Sequence, residues 1–193
     1  ERGCLAAVGH TDADYETTQA AIAAGAGGAT HLFNAMPGLK HRAPGPVLAL
    51  WENPQVVLEL VMDGVHVRPE LVAWVMATAP GRVALVTDAM AAAGGEDGDY
   101  VLGELAVEVR GGVARLAGKD TIAGSTLTLD RAVRNAVAAG VEVADALRAA
   151  TSVPADYLGL TGVGRLAPGK RAYLIVLDSG LHVTRVMWRG RWQ

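Results

Sequence analysis

From its start to Asp88, the chain alternates short, continuously apolar segments with segments that carry helix signals. Strands with one solvated face alternate apolar and polar positions, whereas strands of a helix-covered parallel sheet are apolar throughout. The pattern therefore predicts an α/β fold with a parallel sheet. Thr11 or Asp12 is available as the N-cap of the first helix, and Gly25 is its expected stop. The predicted strands are residues 4–9, 29–32, 56–61 and 82–87, and the predicted helices are residues 14–24 and the segments beginning at Pro46 and Pro69.

The pattern changes after Asp88. Residues 101–117 alternate apolar and polar positions around Gly111 and Gly112, which predicts a β-hairpin insertion at about residues 100–118. Two helices are predicted next, and then two strands with no helix between them. The helices are residues 127–139 and 143–151, and the strands are residues 172–178 and 182–190. Because no helix separates the last two strands, we expect them to belong to a separate small sheet.

Composition narrows the class of protein. The 193 residues are 51% hydrophobic and 19% charged, which is typical of an ordered globular protein. A net charge of −3 and the lack of a basic stripe argue against nucleic-acid binding, and no apolar run is long enough for a membrane span. Cys4 is the only cysteine, so we expect a reducing compartment, the cytoplasm, and a buried thiol that packs rather than reacts.

Polar side chains lie at the ends of the four predicted strands: His10, His31, Asp63 with His66, and Asp88. A lone histidine there is more often a hydrogen-bonded residue, and a lone aspartate is often a helix N-cap. Recurrence after four consecutive strands instead indicates a site at the carboxyl edge of the sheet. Two imidazoles on neighbouring strands can bind a divalent ion such as zinc, and a nearby carboxylate can act as an acid/base.

The loop after His31 is basic. Lys40, His41 and Arg42 follow Asn34 closely. A solvated turn is one interpretation, and we favour it for Lys40. A guanidinium such as that of Arg42 can instead bind a phosphate through two parallel hydrogen bonds, with the amide of Asn34 assisting.

The motifs VGHTDA, THLFNAM, MDGVHV and LVTDA, in this order and spacing, resemble the N-acetylglucosamine-6-phosphate deacetylases of the amidohydrolase superfamily. DTIAGSTLTL and the ending GVGRLAPGKRAYLIVLD strengthen the resemblance. It implies the C-terminal part of a (β/α)8 TIM-type barrel in residues 1–168. Residues 169–193 would return to a small β-sandwich domain. The first residue is Glu1 rather than Met, and we expect an N-terminal part of the protein to be absent.

The resemblance also implies roles for individual residues. It makes His10 and His31 ligands of a divalent metal, with zinc preferred and iron or manganese compatible, and Asp88 the catalytic acid/base. The third metal ligand, a glutamate in this family, would precede residue 1. Arg42 would bind the phosphate, in its own subunit or across a homodimer. The remaining implied substrate-binding residues are Asn34, Ala35, Asp63, Gly64, Val65, His66, Thr121, Ile122 and Ala123.

The activity implied by the resemblance is metal-dependent deacetylation of N-acetylglucosamine-6-phosphate to glucosamine-6-phosphate and acetate. Two alternatives remain open: an amidohydrolase for another amide or a cyclic ureide, and a non-catalytic scaffold that retains the fold. The basic loop favours a phosphorylated substrate, and the presence of His10, His31 and Asp88 together argues against a scaffold. Since a closed barrel needs eight strands, we expect these 193 residues alone to be inactive.

Overall fold

The four predicted apolar strands form one parallel sheet, and its strand order is the order of the sequence. The computed structural model describes residues 3–193, so residues 1 and 2 lie outside the described part. The strands are β1 (Ala6–Val8), β2 (Ala26–Ala29), β3 (Val57–Val61) and β4 (Val83–Val86), and the helices between them are α1 (Tyr15–Ala23), α2 (Gly45–Glu52) and α3 (Pro69–Thr78). The α/β prediction is confirmed.

The main core lies on both faces of the central strands. Leu58, Leu60 and Val61 of β3 are fully buried, as a parallel sheet with covered faces requires. Strand β1 differs because β2 is its only partner among the described residues. Its residues Ala6 and Ala7 are exposed, and so is Cys4 just before it. The prediction of a buried Cys4 is therefore wrong, because the thiol lies beside an edge strand.

Strand β2 begins and ends earlier in the chain than predicted, at Ala26–Ala29 instead of residues 29–32. His31 and Phe33 have φ angles of 32° and 80°, so the chain leaves the extended conformation after Thr30. Sheet-like hydrogen bonds still run from Thr30 N–H to the Val8 carbonyl and from Leu32 N–H to the Glu59 carbonyl. The apolar pattern thus predicted a strand here but placed it three residues too late in the chain.

The N-cap of α1 is Asp14 and not Thr11 or Asp12. The Asp14 carboxylate accepts a hydrogen bond of 2.8 Å from the backbone N–H of Thr17, and the Asp14 backbone is extended, as an N-cap requires. Thr11 instead accepts a hydrogen bond from the N–H of Ala13 within the preceding loop. Thr11 and Asp12 line a surface cavity together with His10.

The predicted hairpin around Gly111 and Gly112 is present but belongs to a three-stranded antiparallel sheet. Its strands are β5 (Gly98–Leu102), β6 (Leu105–Arg110) and β7 (Val113–Leu116). Strand β5 was missed because Gly103 and Glu104 form a second turn inside a segment that alternates without interruption. This sheet has a small core of its own, formed by Met90, Ala92, Val107, Val109, Ala114 and Ala123.

Three helices follow, where two were predicted. They are α4 (Leu129–Ala138), α5 (Val143–Ala150) and α6 (Ser152–Tyr157). Pro154 did not prevent α6, because proline is tolerated in the first turn of a helix. Helix α4 is attached to the end of β3 by Asn135, whose side-chain amide donates to the Met62 carbonyl over 2.8 Å. This hydrogen bond holds α4 against the end of β3, directly before Asp63.

The chain ends in a separate antiparallel sheet, as expected. Its strands are β8 (Leu174–Leu177), β9 (Val183–Trp188) and the short β10 (Arg191–Trp192), which was not predicted. The strand order is β10-β9-β8. Within residues 3–193, no helix combines the length and the apolar character that crossing a membrane requires.

Candidate active site

Three strand-end side chains share an uncommon backbone conformation. His10, His31 and Asp88 have φ angles of 44°, 32° and 49°. Residues other than glycine rarely adopt this left-handed region, and each such residue costs about 1–3 kcal/mol. The chain therefore turns sharply directly after β1, β2 and β4. Strain of this kind collects at functional sites, where surrounding structure holds it in place.

The rings of His10 and His31 meet at this edge. Their Nε2 atoms are 2.9 Å apart, and the ring planes are inclined by 70°. Two ligand nitrogens in a tetrahedral zinc site lie about 3.3 Å apart, as zinc–nitrogen distances of 2.0–2.1 Å require. A small rotation of either ring would give that separation. The structure thus brings the two predicted metal ligands together.

His31 has a second property that is expected of a metal ligand. The residue is only 7% exposed, and its Nδ1 atom is buried without a hydrogen-bond partner among the described residues. Because the two Nε2 atoms lie close together, the donor set of the two rings suits a borderline divalent ion. Within residues 3–193, no group of three or more histidine, cysteine, aspartate or glutamate side chains is arranged to hold a metal.

Asp63 and His66 form a partly buried pair after β3. The Asp63 carboxylate lies 2.6 Å from Nδ1 of His66 and accepts backbone hydrogen bonds from His66 and Val65. Burial raises the pKa of Asp63, but these hydrogen bonds outweigh it, and the pKa lies below its ordinary value. An ionised Asp63 holds the His66 proton on Nδ1, so Nε2 is free to face the site. Gly64, with a φ of 77°, makes the turn that closes this arrangement.

Asp88 faces the same region from the end of β4. Its carboxylate oxygen lies 3.8 Å from Nε2 of His66, and its side chain is 42% exposed while that of His66 is 6% exposed. The sequence analysis missed Ser125, which fixes the backbone here. Its N–H donates to the Asp88 carbonyl over 2.7 Å, and its hydroxyl donates to the Thr87 carbonyl over 2.5 Å.

The segment from Thr121 to Ala123 leads into Ser125 and therefore lies beside Asp88. Thr121 and Ala123 exchange backbone hydrogen bonds with β7, and Ile122 forms a bridge with Arg115. Ala123 is buried, whereas Thr121 and Ile122 are exposed. The structure thus places the predicted closing segment at the rim of the site.

Asn34 and Ala35 lie in the loop after His31. The Asn34 side-chain amide donates to the His31 carbonyl over 3.1 Å, which leaves its side-chain oxygen available as an acceptor. The Ala35 carbonyl accepts from the N–H of Thr11 over 3.1 Å and so ties this loop to the loop after His10. Both predicted substrate residues are adjacent to the histidine pair.

Arg42 is not brought to the histidines. It is exposed in a tight turn, which is closed by a hydrogen bond from Ala43 N–H to the Lys40 carbonyl. No hydrogen bond or ion pair joins Arg42 to another residue in the described range 3–193.

A cavity of about 200 Å³ lies between His66 and the turn at Gly111 and Gly112. Arg131, which the sequence analysis missed, lines it together with Asp63. Arg131 lies in the first turn of α4, where a cation is unfavourable because the helix dipole is positive at that end.

Known proteins match the chain over nearly its whole length. The amidohydrolase family model matches residues 4–192. The N-acetylgalactosamine-6-phosphate deacetylase of Escherichia coli O157:H7 is 46% identical over 186 residues, which are 95% of this chain and 49% of that protein. The N-acetylglucosamine-6-phosphate deacetylase of Vibrio furnissii is 40% identical over 186 residues, with 95% of this chain and 46% of that protein covered.

Solved structures agree with these matches. A mutant of N-acetyl-D-glucosamine-6-phosphate deacetylase from Mycobacterium smegmatis, in complex with N-acetyl-D-glucosamine-6-phosphate, is 51% identical and superimposes with a TM-score of 0.94. The match covers 98% of this chain and 51% of that one. The chain thus spans about half the length of these relatives. On the family match and the structural agreement together, the chain belongs to the amidohydrolase family.

Proposed function

We propose that the protein to which this chain belongs removes the acetyl group from N-acetylglucosamine-6-phosphate, giving glucosamine-6-phosphate and acetate. The observation that carries the proposal is the convergence of His10 and His31, with Nε2 atoms 2.9 Å apart. At the same edge of the sheet lie Asp88 and His66, 3.8 Å from each other. Relatives at 40% identity and 51% identity are named for this substrate.

His10 and His31 are the residues that hold the metal, through Nε2. We propose zinc, with iron or manganese compatible with the same nitrogen donors. A divalent ion held by these residues would polarise the carbonyl of the amide and activate the attacking water. Catalytic zinc sites use three protein ligands, so a further ligand is proposed to come from a segment outside this chain.

Asp88 is the proton carrier. Its carboxylate takes a proton from the attacking water and returns it to the amide nitrogen, so that the amine leaves without negative charge. Partial exposure leaves the carboxylate within reach of a substrate. The turn at φ 49°, held by Ser125, aims the side chain across the edge of the sheet.

His66 orients the sugar. Because Asp63 holds its proton on Nδ1, Nε2 presents a lone pair to a substrate hydroxyl. Asn34, Ala35 and the segment from Thr121 to Ala123 enclose the remaining sides of the substrate. Contacts remote from the amide use binding energy to position the reacting groups.

The phosphate is bound by Arg42 across a homodimer. Arg42 is exposed and has no hydrogen bond or ion pair in the described part of its own chain, which is consistent with a role in a neighbouring subunit. Guanidinium groups bind phosphate through two parallel hydrogen bonds. The four parallel strands are proposed to form half of a (β/α)8 barrel, and β8 to β10 to belong to a small β-sandwich domain.

Arg42→Ala in the full-length protein is expected to lower kcat/KM for the phosphorylated sugar by roughly 10–100-fold, the worth of a lost charge-assisted hydrogen bond. The wild-type protein and the Arg42→Ala variant should hydrolyse N-acetylglucosamine without phosphate at the same low rate. Lys40→Ala is the matched control, because it removes a cation two positions away in the same turn. Equal losses on both sugars would show that Arg42 is structural.

Activity measured on a panel of substrates distinguishes the proposed reaction from its alternatives. Acetate release should be fastest with N-acetylglucosamine-6-phosphate, slower with its C4 epimer, N-acetylgalactosamine-6-phosphate, and absent with a cyclic ureide. The epimer belongs in the panel because a relative at 46% identity is named for it. Hydrolysis of the ureide alone would reject the proposal.

A further inference from the structure

The turn between β6 and β7 consists of two glycines in a special backbone conformation. Gly111 and Gly112 have φ angles of 59° and 74°, and two successive positive angles are typical of a type I′ turn. Glycine adopts these angles without steric cost, but it adopts many other conformations as readily. The two glycines alone therefore do not fix the turn, and its position depends on contacts with other segments.

Two side chains from outside the β6–β7 hairpin make those contacts. Asp97 precedes β5, and its two carboxylate oxygens accept the backbone N–H groups of Gly111 and Gly112, the latter over 2.9 Å. Thr126 follows β7, and its hydroxyl donates to the Gly112 carbonyl over 2.6 Å. The turn is thus attached both to the segment before the antiparallel sheet and to the segment after it.

The other turn of the same sheet is not held in this way. Gly103 and Glu104 connect β5 to β6, and no side chain elsewhere in residues 3–193 forms a hydrogen bond with them. Only the Gly111–Gly112 turn lines the cavity beside His66. Of the two turns, side-chain hydrogen bonds therefore hold the one that faces the cavity.

The cavity connects the Gly111–Gly112 turn to the candidate active site. His66 and Ile122, which are both proposed to contact the substrate, line it together with Thr126. Thr126 directly follows Ser125, whose N–H donates to the Asp88 carbonyl over 2.7 Å. One short segment therefore joins the wall of the cavity to the strand end that carries Asp88.

We propose that Asp97 and Thr126 are positioning residues for substrate binding, because they hold the Gly111–Gly112 turn as the wall of the substrate cavity that faces His66. The inference rests on the proposed function, in which this cavity receives the phosphorylated amino sugar. A wall that is already fixed needs no ordering when the substrate binds, whereas a loosened wall must be ordered at a cost in affinity. Since neither residue reaches the reacting amide, their loss should weaken binding without slowing the chemical step.

Thr126→Val in the full-length protein tests the first contact, because valine keeps the shape of the side chain and lacks the hydroxyl. KM for N-acetylglucosamine-6-phosphate should rise by about 3–10-fold, the worth of one neutral hydrogen bond, while kcat stays at the wild-type value. Thr184→Val is the matched control. Thr184 also donates to a backbone carbonyl, that of Val176 over 3.1 Å, but in the terminal sheet, so its loss should leave KM unchanged.

Asp97→Ala tests the second contact and should raise KM by about 10-fold or more, because two hydrogen bonds to a charged acceptor are lost. Asp97→Asn should recover part of the loss, since its amide oxygen can still accept one N–H. Asp178→Ala is the matched control. Asp178 likewise accepts two backbone N–H groups in a turn, those of Gly180 and His182, but it lies between β8 and β9.

Melting temperatures show whether each variant folds. KM within about twofold of wild type in folded Thr126→Val and Asp97→Ala variants would overturn the inference and leave the proposed function intact. A wild-type protein that releases no acetate from this sugar would instead overturn the proposed function. If neither variant folds, the crystal structure of the wild-type protein with a non-hydrolysed substrate analogue decides. An atom of the Gly111–Gly112 turn should then lie within about 4.5 Å of the analogue, and a larger separation rejects the inference.

Discussion

Replacing Asp88 with asparagine in the full-length protein is expected to lower kcat by about 10²–10⁴-fold, the usual worth of a positioned acid/base. Asparagine has nearly the same size and keeps the φ of 49° accessible, because it tolerates the left-handed region better than most residues. The change therefore removes proton transfer without moving the backbone. Zinc affinity and the binding of a non-hydrolysed substrate analogue should stay within a few fold of wild type.

A matched control is available on β5. Asp99 is an exposed aspartate that pairs with Arg110 at 2.7 Å, outside the candidate site. Asp99→Asn should keep wild-type kcat, because exposed ion pairs contribute little. Turnover of Asp88→Asn close to that of Asp99→Asn would remove Asp88 from the mechanism.

His31→Ala is expected to have the second large effect, a loss of more than about 100-fold in zinc affinity, because a direct ligand should matter more than an outer-shell partner. Acetate release should fall in parallel and recover only partly at high zinc concentration. The measurement combines chelator competition with the zinc-induced increase in melting temperature, since a ligand that binds only the folded state stabilises it.

His182→Ala serves as the comparison, because His182 is exposed beside Asp178 in the turn between β8 and β9. It should bind zinc as wild type does. If His31→Ala kept wild-type zinc affinity, the metal would not be held by the His10 and His31 pair, and the proposed chemistry would have no basis.

The parallel sheet could be predicted because its strands are apolar on both faces, as β3 shows with the adjacent and fully buried Leu60 and Val61. The grouping of polar strand-end residues also follows, since the carboxyl ends of parallel strands share one edge. The end of β2 could not be predicted. Only the left-handed turn at His31 stops that strand, and histidine has no strong preference for such a turn.

Other features depended on contacts between distant segments. Asp14 was available as an N-cap, as were Thr11 and Asp12, and only the bond to Thr17 distinguishes them. Ser125 holds Asp88 from a segment far along the chain, across a bridge that local patterns do not reveal.

The most direct test of the proposed function is acetate release from N-acetylglucosamine-6-phosphate by the purified full-length protein. Metal is first removed with a chelator, and zinc is then returned in measured amounts. The account predicts no activity in the stripped protein, recovery on addition of zinc, and one free amine formed for each acetate. Undiminished acetate release from the stripped protein, or none after zinc is restored to a folded protein, would contradict it.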